Sequence, residues 1–408
     1  MSEKFTFETA TQWEDVQRLR PLWEKWQNHP NTDFEHYRLV LSTRARNAAP
    51  CALLAQADGA PVGLLVGRTE PQDMAVKIGY ANIKLGRACV LRIMTGGVLG
   101  AWWDELATAA VEHLIGTFQQ RAFDAIIFSN VRTSTAFYRA LQAQASRSRP
   151  SVFLAPEPHW IMQIPPKNEE LWLRLSSRHR SQLRKARKKL DEDEDIAGDV
   201  DFRHFHDGQD LEQFCQDVEA VASKTYHQGL GVAFRNDEFY NKRCRLFASR
   251  GQFRGYVLYL NGVPRAFWMG CMYGDIFHSQ DVGYDPQMRE FQLGSLLLVH
   301  VIEELIKEKT CVGLDFGLGD AEYKQRFSDQ SWYDCDATFY APTLKNRTVV
   351  LLQRVADQLR KEAQKSILAA RIKRFWRDRA AKQAASGKPE AAGKPEKPEN
   401  PAQPEKKN

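Results

Sequence analysis

The sequence has no hydrophobic run near the ~18 uninterrupted apolar residues that a membrane-spanning helix needs. Its N-terminal residues include no apolar stretch of the kind found in signal peptides. The 7 cysteines are scattered and show no C-x-x-C or Cys/His ligand spacing, so we expect buried free thiols and no metal site. Together these absences predict a cytoplasmic protein without a transmembrane helix.

Several catalytic motifs are also missing. No G-x-S-x-G, H-E-x-x-H, Walker A or Rossmann G-x-G-x-x-G sequence occurs between a predicted strand and a predicted helix. Serine hydrolase, metalloprotease, P-loop nucleotidase and dehydrogenase activities are therefore disfavoured.

Positive charge is concentrated towards the C-terminus. The net charge is +6, but residues 343–385 carry 12 Lys/Arg and 3 Asp/Glu, and residues 1–342 are slightly acidic. The overall basicity is therefore no argument for nucleic-acid binding by the whole protein, and we expect no DNA partner.

The residues before 343 show the same order of elements twice. In each half, helical segments precede two apolar runs joined by an Asx-Gly turn (Asp58-Gly59 and Asn261-Gly262), which is typical of a β-hairpin. A third apolar run, a long helix, a fourth run, a short helix and a last run follow. Strands outnumber β-α-β alternations, so we predict an α+β fold with mostly antiparallel mixed sheets and one parallel step per half.

The repeat and the composition suggest four segments. We expect a degenerate first domain over 1–158, a second domain with the working site over 159–342, a basic amphipathic helix over 343–385 and a disordered tail over 386–408. The tail holds 5 Pro and no apolar side chain larger than Ala, so it cannot bury enough surface to fold.

A strand, a loop and a long apolar-faced helix come together around Gly294. A glycine at the start of a helix lets a phosphate approach free backbone N–H groups at the positive end of the helix dipole. We predict a ligand-phosphate site from Gln292, Leu293, Gly294, Ser295 and Leu296, although an ordinary helix start would show the same spacing.

A second motif follows the next predicted strand. The strand ends at Asp315, a Gly317-Leu-Gly319-Asp320 turn follows, and a short helix presents Tyr323 and Lys324. The glycines allow the chain to bend close to a ligand, and the phenol and the ammonium supply a proton and a charge. Parallel strands that diverge leave a cleft at their carboxyl ends, where His278, Asp281 and Asp315 could supply polar groups.

Residues 178–189 form a strongly basic predicted helix that includes Arg180 and Arg184. One interpretation is a cationic wall for a phosphate-rich ligand, and the other is a solvated helix neutralised by the acidic residues that follow it.

The ordered succession of these motifs resembles a known family. Trp172-x-x-Leu175-Ser-Ser-Arg-x-Arg180, the hairpin Gly255–Gly270, Tyr284-Asp-Pro, Leu293-Gly294-Ser-Leu-Leu and Asp315-Phe-Gly-Leu-Gly-Asp320-x-x-Tyr323-Lys324 resemble GNAT-like acyltransferases of the CelD type. These are bacterial cell-envelope polysaccharide proteins related to FemAB-type peptidoglycan aminoacyltransferases. The resemblance covers about residues 160–340, and the first half matches only in element order, which fits a tandem GNAT arrangement.

The resemblance implies an acyltransferase that uses acetyl-CoA or another acyl-CoA, without a metal, and an amine or hydroxyl acceptor on a cell-envelope sugar, small or lipid-linked. We expect Tyr323 as general acid, Asp281 as general base and Lys324 as a charge in the catalytic site. The acceptor would contact Asp315, Gly317, Gly319, Asp320, Arg180 and Arg184. We expect one active cleft, in the second half.

Two alternatives remain open at this point. The first is aminoacyl transfer from a charged tRNA, motivated by the basic helix but weakened by the lack of a long helical insertion, so RNA is a disfavoured partner. The second is a non-catalytic adaptor or membrane-surface protein: in residues 343–385, Leu352, Val355, Leu359, Ala363 and Ile367 recur at helical spacing among many cations. Such a helix either packs on the second domain or in a dimer, or lies on an anionic inner-membrane surface.

Overall fold

The computed structural model describes residues 4–45, 47–78, 81–120, 122–147, 150–193, 196, 199–206, 208, 210–225 and 234–365. The predicted tail and the part of the basic helix beyond residue 365 lie outside these residues.

The strands of the described chain form one 13-stranded sheet. In chain order they are β1 Phe5–Ala10, β2 Ala49–Ala57, β3 Ala60–Ile78, β4 Ala81–Gly100, β5 Ala125–Arg132, β6 Ser151–Phe153, β7 Glu157–Gln163, β8 Val200–Phe205, β9 Phe253–Leu260, β10 Val263–Tyr273, β11 Ile276–Tyr284, β12 Gly313–Leu318 and β13 Gln330–Tyr340.

Helices cover both faces of this sheet. They are α1 Trp13–Arg18, α2 Arg20–Trp26, α3 Phe34–Leu39, α4 Asp104–Gly116, α5 Ala136–Ser146, α6 Asn168–Arg174, α7 Ser177–Glu192, α8 Leu211–Ala222, α9 Glu238–Ala248, α10 Leu293–Glu308, α11 Glu322–Phe327 and α12 Leu344–Lys365. Short helical turns occupy Pro30–Thr32, Val40–Arg44, Thr117–Gln120 and Pro286–Phe291.

The predicted α+β class, the two hairpins and the parallel step in each half are confirmed. Asp58-Gly59 and Asn261-Gly262 have positive φ values, of 49° and 79° and of 52° and 71°, as a tight hairpin turn requires. The parallel pairs are β4 with β5 and β11 with β12, and every other pair in the described sheet is antiparallel.

At the centre of the sheet, strands from the two halves of the chain pair with each other. The strand order is β1-β2-β3-β4-β5-β13-β7-β12-β11-β10-β9-β8, with β6 paired to the outside of this path on β13. The last strand, β13, thus pairs with β5 of the first half, and β7 takes the place between β13 and β12. The domain boundary at residue 158 stays a prediction, but the strands on its two sides are hydrogen-bonded into one sheet.

Helix α12 packs on strands of the first half of the sheet and on β13, the last strand of the second half. Val349 and Val350 are buried with Met74, Val90 and Tyr340, which lie on β3, β4 and β13. The predicted apolar face was therefore wrong in part: Val355 is exposed and Leu352 is only half-buried, because the helix is rotated to bury Val349, Val350 and Ala356.

None of the helices in the described ranges is both long enough and apolar enough to cross a lipid bilayer.

The pairing of β13 with β5 joins the two halves of the chain, and its contribution to stability can be tested. Phe339 of β13 is fully buried against Phe128 and Phe153, residues of the first half. Phe339→Ala should lower the free energy of unfolding by about 3–5 kcal/mol in urea titrations, and it should speed hydrogen exchange in β4 and β5. Leu173→Ala, at a side chain that is 75% exposed, is the control and should change stability by less than about 0.5 kcal/mol. If the rates of hydrogen exchange in β4 and β5 do not change, the pairing of β13 with β5 is contradicted.

Candidate functional site

Five ionisable side chains form a chain of contacts where the two halves of the sheet meet. His159 on β7 places Nε2 at 2.7 Å from Oδ1 of Asp315 and Nδ1 at 2.8 Å from Oδ2 of Asp334. The other oxygen of Asp315, Oδ2, lies 3.2 Å from Nδ1 of His278. The ring of His29, from the first half, packs edge-on against His278 at 5.0 Å.

The sheet register creates this chain. His278 and Asp315 are the last paired residues of the parallel strands β11 and β12, beyond which the two strands diverge. On the other side, β7 lies between β12 and β13, so His159 reaches a carboxylate on each of its neighbours. The amide of Gly317 donates to Oδ1 of Asp315 at 2.7 Å and fixes that carboxylate from behind.

The electrostatics of this chain of contacts favour a protonated His159. Burial opposes protonation of the ring, but hydrogen bonds to Asp315 and Asp334 outweigh it and raise the pKa of His159 to about 9. Burial alone would raise the pKa of Asp315, yet the bonds from His159 and His278 hold it well below its usual range. Burial and the neighbouring His278 lower the pKa of His29 to about 3, so this ring is neutral at physiological pH.

Two cavities lie beside this chain and share the wall formed by Met94, Thr95 and Ser129. One, of about 440 Å³, lies where β4 and β5 diverge and is lined by His29, His159, Trp332 and Asp334 among others. We refer to both together as the central cleft. It lies against first-half strands, whereas we expected a single cleft in the second half.

The second cavity of the central cleft is strongly cationic. It measures about 690 Å³, and Arg44, Arg68, Arg92 and Arg243 line it. Glu70 accepts from Arg68 and Arg92, each at 2.7 Å, so part of this charge is neutralised. The surplus favours an anionic group of a ligand.

The first cavity is aromatic and polar. Trp332 stacks on the ring of His159 at 4.4 Å, and the guanidinium of Arg132 lies over Trp332, also at 4.4 Å. Asp334 Oδ1 is buried and has no hydrogen-bond partner among the described residues, and the same holds for Nε2 of His278. Buried polar atoms in this state are ready to bond a ligand.

Two of the three predicted catalytic residues, Asp281 and Lys324, have structural partners. Asp281 is ion-paired at 2.7 Å with the buried Arg243, so the predicted free base at this position is not available. Lys324 is buried, and its Nζ donates to the carbonyls of Leu318 at 2.6 Å and Gly317 at 3.3 Å; burial lowers its pKa. Its ammonium therefore holds the turn before α11.

Tyr323 packs edge-on against Trp268 at 5.7 Å and Phe316 at 5.9 Å, at the side of the β11–β12 divergence. Gly317 and Gly319 have positive φ values of 71° and 98°, so the predicted sharp bend exists and favours glycine. Asp320 is exposed and accepts from Gln325.

The predicted phosphate loop forms the start of α10. Gln292 is left-handed, with φ 50°, and its carbonyl accepts from the amides of Ser295 at 2.9 Å and Leu296 at 3.1 Å. Those two amides are used by the first helical turn, so the expectation that they are free was wrong. The amides of Leu293 and Gly294 have no partner in the described part of the chain.

The basic helix has a different place from the one that we predicted. Arg180 donates to the carbonyls of Trp172 at 3.1 Å and Leu175 at 2.6 Å, so it closes the end of α6. Arg184 lines a separate surface groove of about 430 Å³ between α7 and α10. Neither side chain lines the central cleft.

The sequence reasoning missed His29, His159, Trp332 and Asp334. Each is a single polar or aromatic residue without a motif, and they are far apart in the chain. Only the pairing of β7 with both β12 and β13 brings them together, and nothing in the spacing of residues encodes that pairing.

Comparisons with known proteins agree with this architecture. Residues 177–325 match the family model described as "Acetyltransferase (GNAT) domain". A comparison with curated protein sequences gives no significant match. Among solved structures, FemX is similar at a TM-score of 0.54 and 11% identity, with 85% of this chain and 100% of that chain covered.

Two further similar structures have lower scores. A tandem GNAT protein from the clavulanic acid biosynthesis pathway has a TM-score of 0.48, 10% identity, and coverage of 83% and 99%. The L-PGS structure from Bacillus licheniformis has a TM-score of 0.46, 12% identity, and coverage of 86% and 98%. The chain therefore has a fold like that of FemX, and residues 177–325 match the model of a GNAT acetyltransferase domain.

Proposed function

We propose that this protein transfers an acyl group from acyl-CoA to an amine or hydroxyl of an anionic cell-envelope sugar or a related precursor. The observation that carries the proposal is the central cleft, which residues of both halves of the chain line where β4 and β5 diverge. Its cationic end suits a phosphate or carboxylate of the acceptor, and its aromatic, polar end suits a sugar ring.

The donor would lie at the start of α10. The amides of Leu293 and Gly294 and the positive end of a 16-residue helix suit the phosphates of a CoA. A Cβ at Gly294 would lie 3.3 Å from the ring of Tyr284, a contact tight enough that the ring would have to shift, so glycine fits this position best. Acyl-CoA would supply the activated acyl group, and no metal enters the proposal.

Asp334 replaces Asp281 as the proposed proton acceptor. One oxygen of Asp334 is held by His159, and the other, Oδ1, is unpartnered within the described residues. A carboxylate in this position can accept the proton of an attacking amine or hydroxyl as the new acyl bond forms. The raised pKa of His159 keeps its ring protonated, so His159 cannot be the base; its hydrogen bond orients the carboxylate of Asp334.

The leaving thiolate of CoA then needs a proton. Tyr323 stays the proposed acid, because its phenol lies beside the divergence of β11 and β12 that the donor would enter. Lys324 supports this group indirectly, since it holds the turn that precedes α11.

The donor site has a direct test. Gly294→Trp should lower the affinity for acetyl-CoA at least tenfold by calorimetry, because the indole would fill the approach to the helix start. Gly116→Trp is the matched control, because no atom lies within 4 Å of its Cβ position, and it should bind normally. Tyr323→Phe should keep binding and lower turnover. Unchanged acetyl-CoA binding in Gly294→Trp would refute the assignment.

Aminoacyl transfer from a charged tRNA is the second candidate. The FemX-like fold and the FemAB resemblance favour it, and the name of another similar structure, putative lysylphosphatidylglycerol synthetase, points in the same direction. If the wild-type chain ignores acyl-CoA but binds charged tRNA with an affinity that falls steeply with salt, this candidate replaces the first.

The role of His159 predicts a pH dependence. Because folding raises its pKa from 6.5 to about 9, its ion pairs stabilise the fold fully below pH ~6.5, and this stability is lost as the pH rises through 9. The difference in unfolding free energy between wild type and His159→Gln should shrink by about 3 kcal/mol between pH 6.5 and pH 10. His113→Gln, at an exposed histidine on α4, serves as control. A difference that does not change with pH would contradict the charged state of His159.

We also propose that α12 holds the protein at an anionic membrane surface, close to lipid-linked acceptors. Leu344, Leu351 and Val355 are 84%, 61% and 47% exposed, and they lie at spacings of seven and four on the face opposite Val349. Lys345, Arg347 and Arg354 flank them, and the sequence beyond residue 365 adds further cations. Exposed apolar residues beside cations are the pattern of an interfacial helix.

Vesicle sedimentation tests the membrane proposal. Leu351→Glu with Val355→Glu should reduce binding to phosphatidylglycerol vesicles about tenfold or more, since two exposed apolar contacts become like-charged with the lipid. The control Leu173→Glu changes an exposed leucine on α6. Equal binding of both variants, or equal wild-type binding to neutral vesicles, would contradict the proposal.

A further inference from the structure

A second group of histidines lies on the opposite edge of the second half, away from the central cleft. His204 is on the edge strand β8, and His300 and Glu304 are on α10. The Nε2 atoms of the two histidines are 2.7 Å apart, and Oε2 of Glu304 is 3.5 Å from Nδ1 of His204. One ligand atom from each residue lies within 4.8 Å of the other two.

The secondary structure holds these side chains in place. His300 and Glu304 are one helical turn apart and share a face of α10. Phe202 and His204 are two residues apart on β8 and share the face of the strand that meets the helix. The ring of His300 lies on Phe202 at 4.4 Å, and His204 packs on Tyr256 at 5.2 Å, so neither imidazole rotates freely.

The surrounding charges leave the group able to bind a cation. Lys307 bonds Oε1 of Glu304 at 2.5 Å and leaves Oε2 directed to His204. Arg254 is paired with Glu308, and His206 lies 6.0 Å from His204 between ring centres.

We propose that His204, His300 and Glu304 form a binding site for a divalent transition-metal ion of the zinc class. Two imidazole nitrogens and a carboxylate oxygen are a donor set that Zn²⁺ accepts, with the fourth position open to water. Tetrahedral binding at about 2.0 Å per nitrogen requires the two Nε2 atoms to move from 2.7 Å to about 3.3 Å apart. The ion takes the place of the direct contact between the two Nε2 atoms, and it joins the edge strand β8 to α10.

The other candidate trio, His29, His278 and Asp315, is less suited to a metal. Nδ1 of His29 already accepts from the amide of Asn31, and Nδ1 of His278 faces Asp315. The second oxygen of Asp315 is bonded by His159. These contacts already occupy one donor atom of each residue, while Nε2 of His278 has no partner among the described residues, so the trio serves as the internal comparison in the experiment.

The test is zinc binding to the full chain after treatment with a chelator. We expect one Zn²⁺ per chain by equilibrium dialysis and a rise in melting temperature on adding zinc. His300→Gln and Glu304→Gln should each lower zinc affinity at least tenfold and remove most of that rise. His113→Gln is the control for the loss of a histidine elsewhere, and His278→Gln probes the other trio.

The outcomes separate clearly. The proposal is wrong if no stoichiometric zinc binds, or if His278→Gln removes binding and His300→Gln does not. Should circular dichroism show that His300→Gln is unfolded, Glu304→Gln decides, since it keeps the size of the side chain; unchanged affinity in that variant overturns the site. Loss of acyl-CoA binding plays no part in these readouts, so failure of the zinc site and failure of the proposed function are distinguishable.

Discussion

The ion triad Asp315–His159–Asp334 is the interaction on which the centre of the molecule depends. A buried imidazolium is costly unless both of its N–H groups meet carboxylates, and here each nitrogen does, at 2.7 and 2.8 Å. The triad can form only if β7 lies between β12 and β13. The same strand order brings β13 against β5, so the charge triad and the joining of both halves into one sheet are a single constraint.

Contacts between the halves hold the walls of the central cleft. Asp33 starts α3 by accepting from the amides of Glu35 and His36, and its carboxylate also accepts from Arg250 at 2.8 Å and Tyr273 at 3.2 Å. The short helices of the first half are thereby anchored on the second half. A site that combines residues from both halves needs this rigidity, because a shift of about 1 Å between reacting groups is costly to catalysis.

Local patterns could be predicted and long-range pairings could not. The hairpins at Asn261-Gly262 and Asp58-Gly59, the long helix after Gly294 and the bend at Gly317 depend on neighbours within a few residues, and the structure has them. The partners of His159, by contrast, lie more than 150 residues away in the chain, at Asp315 and Asp334. The sequence also could not predict which face of α12 is buried. Both of its apolar faces have helical spacing, and only the shape of the sheet beneath the helix selects Val349 and Val350 for burial.

The buried polar atoms around the central cleft differ in whether they have a hydrogen-bond partner. Inside a protein, nearly every polar atom has a partner, because an unpaired one costs free energy. Most of the ionic groups around the cleft obey this rule, including Asp281 with Arg243 and Lys324 with two carbonyls. Oδ1 of Asp334 and Nε2 of His278 do not obey it within the described chain, and neither do Nε2 of His36 and Nε of Arg243. Their cost is offset only when a ligand supplies the missing bonds, and this makes the end of the cleft at Asp334 the place where we expect the reacting group of the acceptor.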